Sequence, residues 1–318
     1  MILVTGAAGF IGINTVLSLN QQGIKDLIVV DHFDLEEKSE KLELFQYYKS
    51  LSVNDCETLL KDDSIDIDLV IHLGAITDTT CNDSQLLKKL NIDFSKKIWK
   101  YCTKNSTPLI YASSAATYGI GNQGFDDDET KISQLEPLNK YGKSKNDFDL
   151  WAVNQSQSPP SWVGLKFFNV YGPYEDNKGK MASVVHWGLR KIYSEKNMNL
   201  FKSLHVDFKD GYQTRDFIFV GDVVNIILFF KDNTFTGIYN VGTGNPQPFL
   251  VLAETLFDSL KIPRDINYID MPEALTDIYQ YYTSANIDKL RSLGYNKKFT
   301  SLKEGIDICK NYFLDTVK

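Results

Sequence analysis

Thr5-Gly6-Ala7-Ala8-Gly9-Phe10-Ile11-Gly12 follows the branched run Ile2-Leu3-Val4 and opens a helical pattern. In that setting Gly6 can take a positive φ, Gly9 lets the backbone approach a pyrophosphate, and Gly12 permits close helix–strand packing. A helix N-terminus adds unpaired N–H groups and a partial positive charge, both suited to phosphate. The spacing is G-x-x-G-x-x-G rather than G-x-G-x-x-G, so the flanking elements decide between a binding turn and a plain glycine turn. Here the next apolar run, Leu27-Ile28-Val29-Val30, ends in Asp31, 19 residues after Gly12. That is where a carboxylate accepts from adenosine ribose hydroxyls. A bound dinucleotide is expected. Asp31 would repel a 2′-phosphate and points to NAD. His32 and Lys38 can offset that charge, or can be polar residues of a solvated loop.

Further along the chain, short branched runs recur without strict alternation. Leu69-Val70-Ile71 leads to Leu73-Gly74-Ala75, Leu109-Ile110-Tyr111 leads to Ser113-Ser114, and a strand is predicted from Val163 to Val170. Such runs suit strands buried on both faces of a parallel sheet. Between them, Leu87, Leu90, Phe94, Ile98 and Tyr101 mark one helix face at steps of three and four. The alternation predicts an α/β fold with a doubly wound parallel Rossmann sheet. Helices are also predicted around Val184 to Tyr193 and through Leu302, Ile306, Cys309 and Phe313, with a polar loop from Glu175 to Lys180.

Composition narrows the function. With 318 residues, 43% hydrophobic and 24% charged, the chain has ample core for one large or two fused domains. A net charge of −7 lacks the basic footprint of a nucleic-acid or anionic-membrane binder. The four cysteines (Cys56, Cys81, Cys102, Cys309) and four histidines (His32, His72, His186, His205) are scattered, so no metal cage is expected. The apolar stretch Ile226 to Phe230 falls well short of the roughly 20 residues of a membrane span. No basic region precedes an apolar one at the N-terminus, and a soluble, reduced, cytoplasmic protein is the expectation.

Tyr141 and Lys145 stand one helical turn apart, ahead of Phe148 and Ala152 on the same face. Tyr174 and Lys178 share the spacing but follow Gly172-Pro173 in a loop. Ser113-Ser114, ending a predicted strand, favours the first pair, because ligands bind at the carboxyl edge of such sheets. A phenol titrates near pH 10, too high for a base at neutrality. A nearby ammonium and an oxidised nicotinamide would lower it. Tyr141 could then take a proton from a substrate alcohol whose oxygen Ser114 hydrogen-bonds.

TGAAGFIG, YASSAATYG and YGKSK together resemble the extended short-chain dehydrogenase/reductase superfamily of nucleotide-sugar enzymes. FFNVYGP (167–173), KGKMAS (178–183), TRDFIFVGDV (214–223) and YNVGTG (239–244) narrow the resemblance to its epimerases. It implies a Rossmann domain over 1–167 with returning segments near 214–238, and a smaller, mostly C-terminal α/β substrate domain over 168–318. It implies bound NADP, with NAD the alternative, and epimerisation at C6 of an ADP-linked heptose for lipopolysaccharide inner-core synthesis. A homo-oligomer is expected. The resemblance makes Tyr141, Ser114 and Lys145 the catalytic set, with Lys178 a second acid/base. Cofactor contacts then fall on Gly6, Gly9, Phe10, Ile11, Gly12, Asp31, His32, Lys38, Leu73, Gly74, Ala75, Ile76, Thr77, Asn91, Lys145, Val170 and Lys178. Substrate contacts fall on Ser114, Asn169, Lys180, His186, Phe201, Arg215 and Tyr279.

The chain departs from the pattern at Lys180, usually serine, and at Trp187, usually histidine, although His186 is adjacent. The segment through Tyr47-Tyr48-Lys49 also departs from it. On the residues alone, Arg215 beside Asp216 could be a surface ion pair, or a fork for a diphosphate. Asn169 could satisfy backbone groups, and Lys178 could be a solvated loop lysine. Three activities compete: the C6 epimerisation, another nucleotide-sugar 4-epimerase or dehydratase, and a non-catalytic dinucleotide sensor. Relatives that eliminate water carry an Asp-Glu pair where this chain has Ala115-Ala116, which disfavours a dehydratase.

Overall fold

A computed structural model describes residues 1–61, 65–276 and 279–317. In chain order the first half runs β1 (Ile2–Thr5), α1 (Phe10–Gln21), β2 (Leu27–Val30), α2 (Glu36–Ser39), β3 (Lys49–Leu51), α3 (Val53–Leu59), β4 (Leu69–His72), α4 (Ser84–Leu87), α5 (Phe94–Lys104) and β5 (Leu109–Ser114). There follow α6 (Lys140–Val153), β6 (Trp162–Phe167), β7 (Asn169–Tyr171), α7 (Val184–Glu195), β8 (Met198–Phe201), β9 (Thr214–Arg215), β10 (Phe217–Phe219) and α8 (Val220–Lys231). The chain ends with β11 (Thr236–Val241), β12 (Gln247–Pro248), α9 (Phe249–Leu260), β13 (Ile266–Ile269), α10 (Glu273–Thr276), α11 (Asp288–Ser292) and α12 (Leu302–Thr316).

Seven strands form one parallel sheet in the order β11-β6-β5-β4-β1-β2-β3. Successive residues of each strand feed opposite faces. Val4, Val29, Ile71 and Ile110 pack with α1 and α8, while Leu3, Ile28, Val70 and Leu109 pack with α3, α5 and α6. Both faces are therefore apolar, which explains strands that read as continuous branched runs. Strand order reverses between β1 and β4, and the crevice at such a switch point is where ligands bind. A third core joins α7, α9 and α12 beside the paired strands β8 and β13. Among the described residues no helix is long and apolar enough to cross a membrane.

Three predicted elements differ from those observed. The strand expected from Val163 to Val170 breaks at Phe168: β6 stays in the large sheet, and β7 pairs with β10 instead. The helix expected through Leu87 and Tyr101 contains a π-helical turn, Lys88–Asp93, between α4 and α5. Inside that turn the Asn91 side chain accepts from Ile76 N–H at 2.8 Å and donates to Ile76 O and Ser144 Oγ. These bonds give the irregular turn its partners. The expected loop from Glu175 to Lys180 forms a 3-10 segment, Asp176–Met181, interrupted by Gly179 at φ 50.

Candidate active site

A cavity of about 1000 Å³ opens along the carboxyl ends of β1, β2, β4, β5 and β6. The glycine turn forms its floor. Gly6 sits at φ 69, and a Cβ there would lie 2.6 Å from Gly74 N. A Cβ on Gly12 would lie 1.9 Å from Gly6 O and 2.8 Å from the Gly6 carbonyl carbon. Gly9 caps α1 without any side-chain hydrogen bond, leaving the first-turn N–H groups to a ligand. Uncapped donors over a backbone only glycine permits fit a pyrophosphate. Gly12→Ala is expected to force the turn apart, cost about 1–3 kcal/mol of stability and empty the protein of dinucleotide. Absorbance of the supernatant after denaturation measures the content. Full retention would show that the turn is not the cradle.

Asp31 directly follows β2 and is almost fully buried. Its oxygens accept from Ala8 N–H at 2.9 Å, His32 N–H at 2.8 Å and the Lys38 ammonium. A carboxylate has about four acceptor positions, so Asp31 keeps about one for a ribose hydroxyl. Lys38 is therefore paired with Asp31 rather than free on a solvated loop. His32, Lys38, Phe10, Ile11, Val170 and the 73–77 strand end all line the cavity. Gly74 N–H is held by Thr5 Oγ1 at 3.1 Å. Asn91 is 1% exposed and does not reach the cavity; it acts on the lining only by pinning Ile76.

Tyr141, Lys145 and Ser114 converge on the same wall. Asn139 caps α6 by accepting from Gly142 N–H at 2.8 Å, which fixes the helix start one residue before Tyr141. Lys145 Nζ donates to Ala112 O at 2.9 Å. The expected lowering of the phenol is not present in the protein alone. Burial pushes Tyr141 up, a hydrogen bond with Ser114 opposes the rise, and Asp149 adds to it. Burial likewise pushes Lys145 down to about 8, against the pull of Asp149.

That shift predicts a pH signature. Below pH 8 the folded protein holds a buried charge, a penalty on the order of 3 kcal/mol. From about 8 up to the ordinary lysine value of 10.5 the unfolded chain binds the proton and the folded chain does not, so the penalty fades as pH rises. Lys145→Met should unfold at a higher temperature than the parent at pH 7, by a margin that shrinks towards pH 10. A margin independent of pH would contradict the buried charge.

Lys178 is not a solvated loop lysine. Its side chain is 28% exposed, with Nζ 3.9 Å from Glu175 Oε2 and 4.9 Å from the Phe10 ring centre. Burial pushes its ammonium down, and Glu175 opposes that. Glu175, overlooked in the sequence, clamps the segment: it accepts from Gly172 N–H at 2.9 Å, Ser183 N–H at 2.6 Å and Ser183 Oγ at 2.8 Å. Its position three residues before Lys178 was the available signal.

The substrate candidates divide. Asn169 and Lys180 line the cavity, with Lys180 donating to Thr80 Oγ1 at 3.0 Å. His186 does not; it lies on α7 against Arg190 and the exposed Trp187, its imidazole pushed down by burial and then by Arg190. Arg215 makes no ion pair with Asp216. Asp216 turns away and accepts from Thr243, Gly244 and Ala285 N–H groups. Arg215 is 7% exposed, its guanidinium 5.5 Å from the Phe249 ring centre and 5.1 Å from that of Tyr279. Phe201 packs edge-on against Tyr279. Phe249, which also lines the cavity, joins this aromatic and cationic cluster to the main site.

Residues 2–242 match the model of the NAD dependent epimerase/dehydratase family. The chain is 43% identical to the ADP-L-glycero-D-manno-heptose-6-epimerase of Fusobacterium nucleatum subsp. nucleatum, over 98% of each. The solved structure of the Helicobacter pylori ADP-L-glycero-D-manno-heptose-6-epimerase is similar with a TM-score of 0.82 at 27% identity, covering 98% of this chain and 96% of that one. The UDP-glucose 4-epimerase of Thermotoga maritima gives 0.81 at 26%, covering 100% and 99%.

Proposed function

This chain belongs to the NAD dependent epimerase/dehydratase family, and from that premise we propose that it inverts C6 of an ADP-linked glycero-manno-heptose, a precursor of the lipopolysaccharide inner core. It is an isomerase that uses a nicotinamide dinucleotide. The observation carrying the reaction is that Tyr141 and Lys178 reach one cavity from different elements, α6 and the segment after β7. The near-full-length match to a heptose epimerase supports the substrate.

Tyr141 takes the proton of the C6 hydroxyl while Ser114 donates a hydrogen bond to that oxygen. When bound, the dinucleotide supplies the acceptor of the hydride and, in the return step, its donor. Lys145, held by Ala112 O, places a positive charge one turn from the phenol. Lys178, as an ammonium, gives its own proton to the oxygen when the ketone presents its other face; exchange with solvent then returns a proton to Lys178 and removes the one left on Tyr141. Arg215, walled by Phe249 and Tyr279, offers its fork to the diphosphate of the nucleotide sugar. The direct assay offers the purified protein ADP-heptose and UDP-glucose separately. Conversion of UDP-glucose alone would replace the heptose reading with a 4-epimerase.

NADP is the proposed dinucleotide, because Lys38 neutralises Asp31 and leaves no net negative charge to repel a 2′-phosphate. Lys38→Ala should shift preference from NADP towards NAD by about 1–2 kcal/mol, the scale of a charged hydrogen bond. Titrating both dinucleotides into stripped protein reads the shift. Equal losses for the two would remove Lys38 from phosphate recognition. Identifying the dinucleotide released on denaturation tests the assignment independently.

A further inference from the structure

Asp149 and Lys166 form an ion pair sealed from solvent, their side chains 0% and 1% exposed, with 2.8 Å between Oδ2 and Nζ. Neither takes part in the reaction above. A buried pair is a weak source of stability, because desolvation offsets most of the attraction and an apolar pair of similar shape often serves as well. Its surroundings point elsewhere. Asp149 lies one turn after Lys145, which lies one turn after Tyr141, so the three share a face of α6. Asp149 also accepts from Ser113 Oγ at 2.6 Å and from Tyr111 OH at 3.1 Å. Lys166 donates onward to Thr117 Oγ1 at 2.7 Å, and Thr117 Oγ1 donates to Ser114 O at 2.8 Å. The chain of contacts runs from the helix carrying Tyr141 and Lys145, through the ion pair, to the serine that bonds Tyr141.

We propose that Asp149 and Lys166 are positioning residues for the epimerisation: Asp149 sets a carboxylate one helical turn beyond Lys145 on the same face of α6, and Lys166 balances Asp149 while fixing the Ser114 strand end. The proposal rests on the assignment of Tyr141 and Lys145 above. Burial works against the Lys145 ammonium, and Asp149 is the group that opposes it. The other groups around the set do not supply that charge. His72 on β4 is held neutral, pushed down to about 3 by burial and then by Lys145 itself. Tyr111 on β5 and Tyr118 beyond it are pushed up by burial and stay uncharged; Glu129 faces the first, and Asp127 and Asp126 the second. A neutral Lys145 would no longer favour the Tyr141 phenolate. Asp149 also opposes that phenolate directly, so the two effects have opposite signs and an experiment separates them.

Asp149→Asn keeps the size and one of the two acceptor oxygens and removes the charge. The alkaline fall of its turnover should move down by about one pH unit, with dinucleotide content unchanged. Asp149→Glu should restore the parent profile. The double variant Asp149→Asn, Lys166→Met, which also removes the Lys166 ammonium that loses its counter-charge, should shift in the same direction and guards against a single variant that fails to fold. A readout without turnover is the unfolding margin between each background and its Lys145→Met partner, which should begin to shrink at a lower pH than in the parent. An unmoved alkaline limb in a folded, loaded variant, or faster turnover, overturns the proposal. Those results with an inactive Tyr141→Phe would sink only the positioning role. An active Tyr141→Phe would sink the underlying assignment.

Discussion

Tyr141→Phe is expected to lose about two to four decades of turnover while keeping the fold and its bound dinucleotide. The ring is 8% exposed and its packing survives loss of the hydroxyl. What disappears is the hydroxyl hydrogen-bonded to Ser114, the group proposed to carry the proton. Burial holds this phenol above its ordinary range in the protein alone, so the phenolate is favoured only when positive charge is brought to it. In the proposed mechanism Lys145 supplies part of that charge, and an oxidised nicotinamide would supply the rest when bound. The variant should therefore also lose the pH dependence that belongs to the phenol. Turnover of ADP-heptose, thermal unfolding and released dinucleotide, measured on one preparation, give the three readouts. Near-parental turnover would take Tyr141 out of the mechanism.

Lys178→Met should abolish interconversion of the C6 epimers, a loss of at least about two decades, yet still allow one epimer to be oxidised. Epimerisation moves a proton at oxygen on both faces of one carbon, and a tyrosine fixed on α6 reaches one of them. The 3-10 segment 176–181 brings Lys178 to the cavity from outside that helix, its ammonium set between Phe10 and Glu175. Methionine keeps the length and the contact with Phe10. Glu175 keeps its hydrogen bonds to Gly172 and Ser183, so the segment should hold its place. The experiment is single-turnover: each epimer is mixed separately with oxidised variant and nicotinamide absorbance is followed. Reduction by one epimer only is the expected result. Interconversion at the parental rate would leave Lys178 without a role in proton transfer.

The sequence by itself determined the parts of this protein whose physics is local. A glycine turn between a branched strand and a helix is written in adjacent residues, because positive φ and close backbone approach are properties of the residue at the position. The pairing of Tyr141 with Lys145 follows from the period of one helix, and Ser114 from the end of one strand. Those signals led to the parallel sheet and to the cavity wall that carries Ser114, Tyr141 and Lys145. Tertiary structure decided whatever depends on partners far along the chain. Asn91 turned out to pin Ile76 and Ser144 from a π-helical turn, which no period of three and four reveals. Arg215 and Asp216 are neighbours in sequence, yet Arg215 at the end of β9 faces aromatic rings while Asp216, between β9 and β10, accepts from backbone N–H groups distant in the chain. Lys166 on β6 met Asp149 on α6 across 17 residues. Above all, burial is the largest influence on the titration of Tyr141, Lys145 and Lys178, and burial is made only when distant strands and helices close over the same side chains.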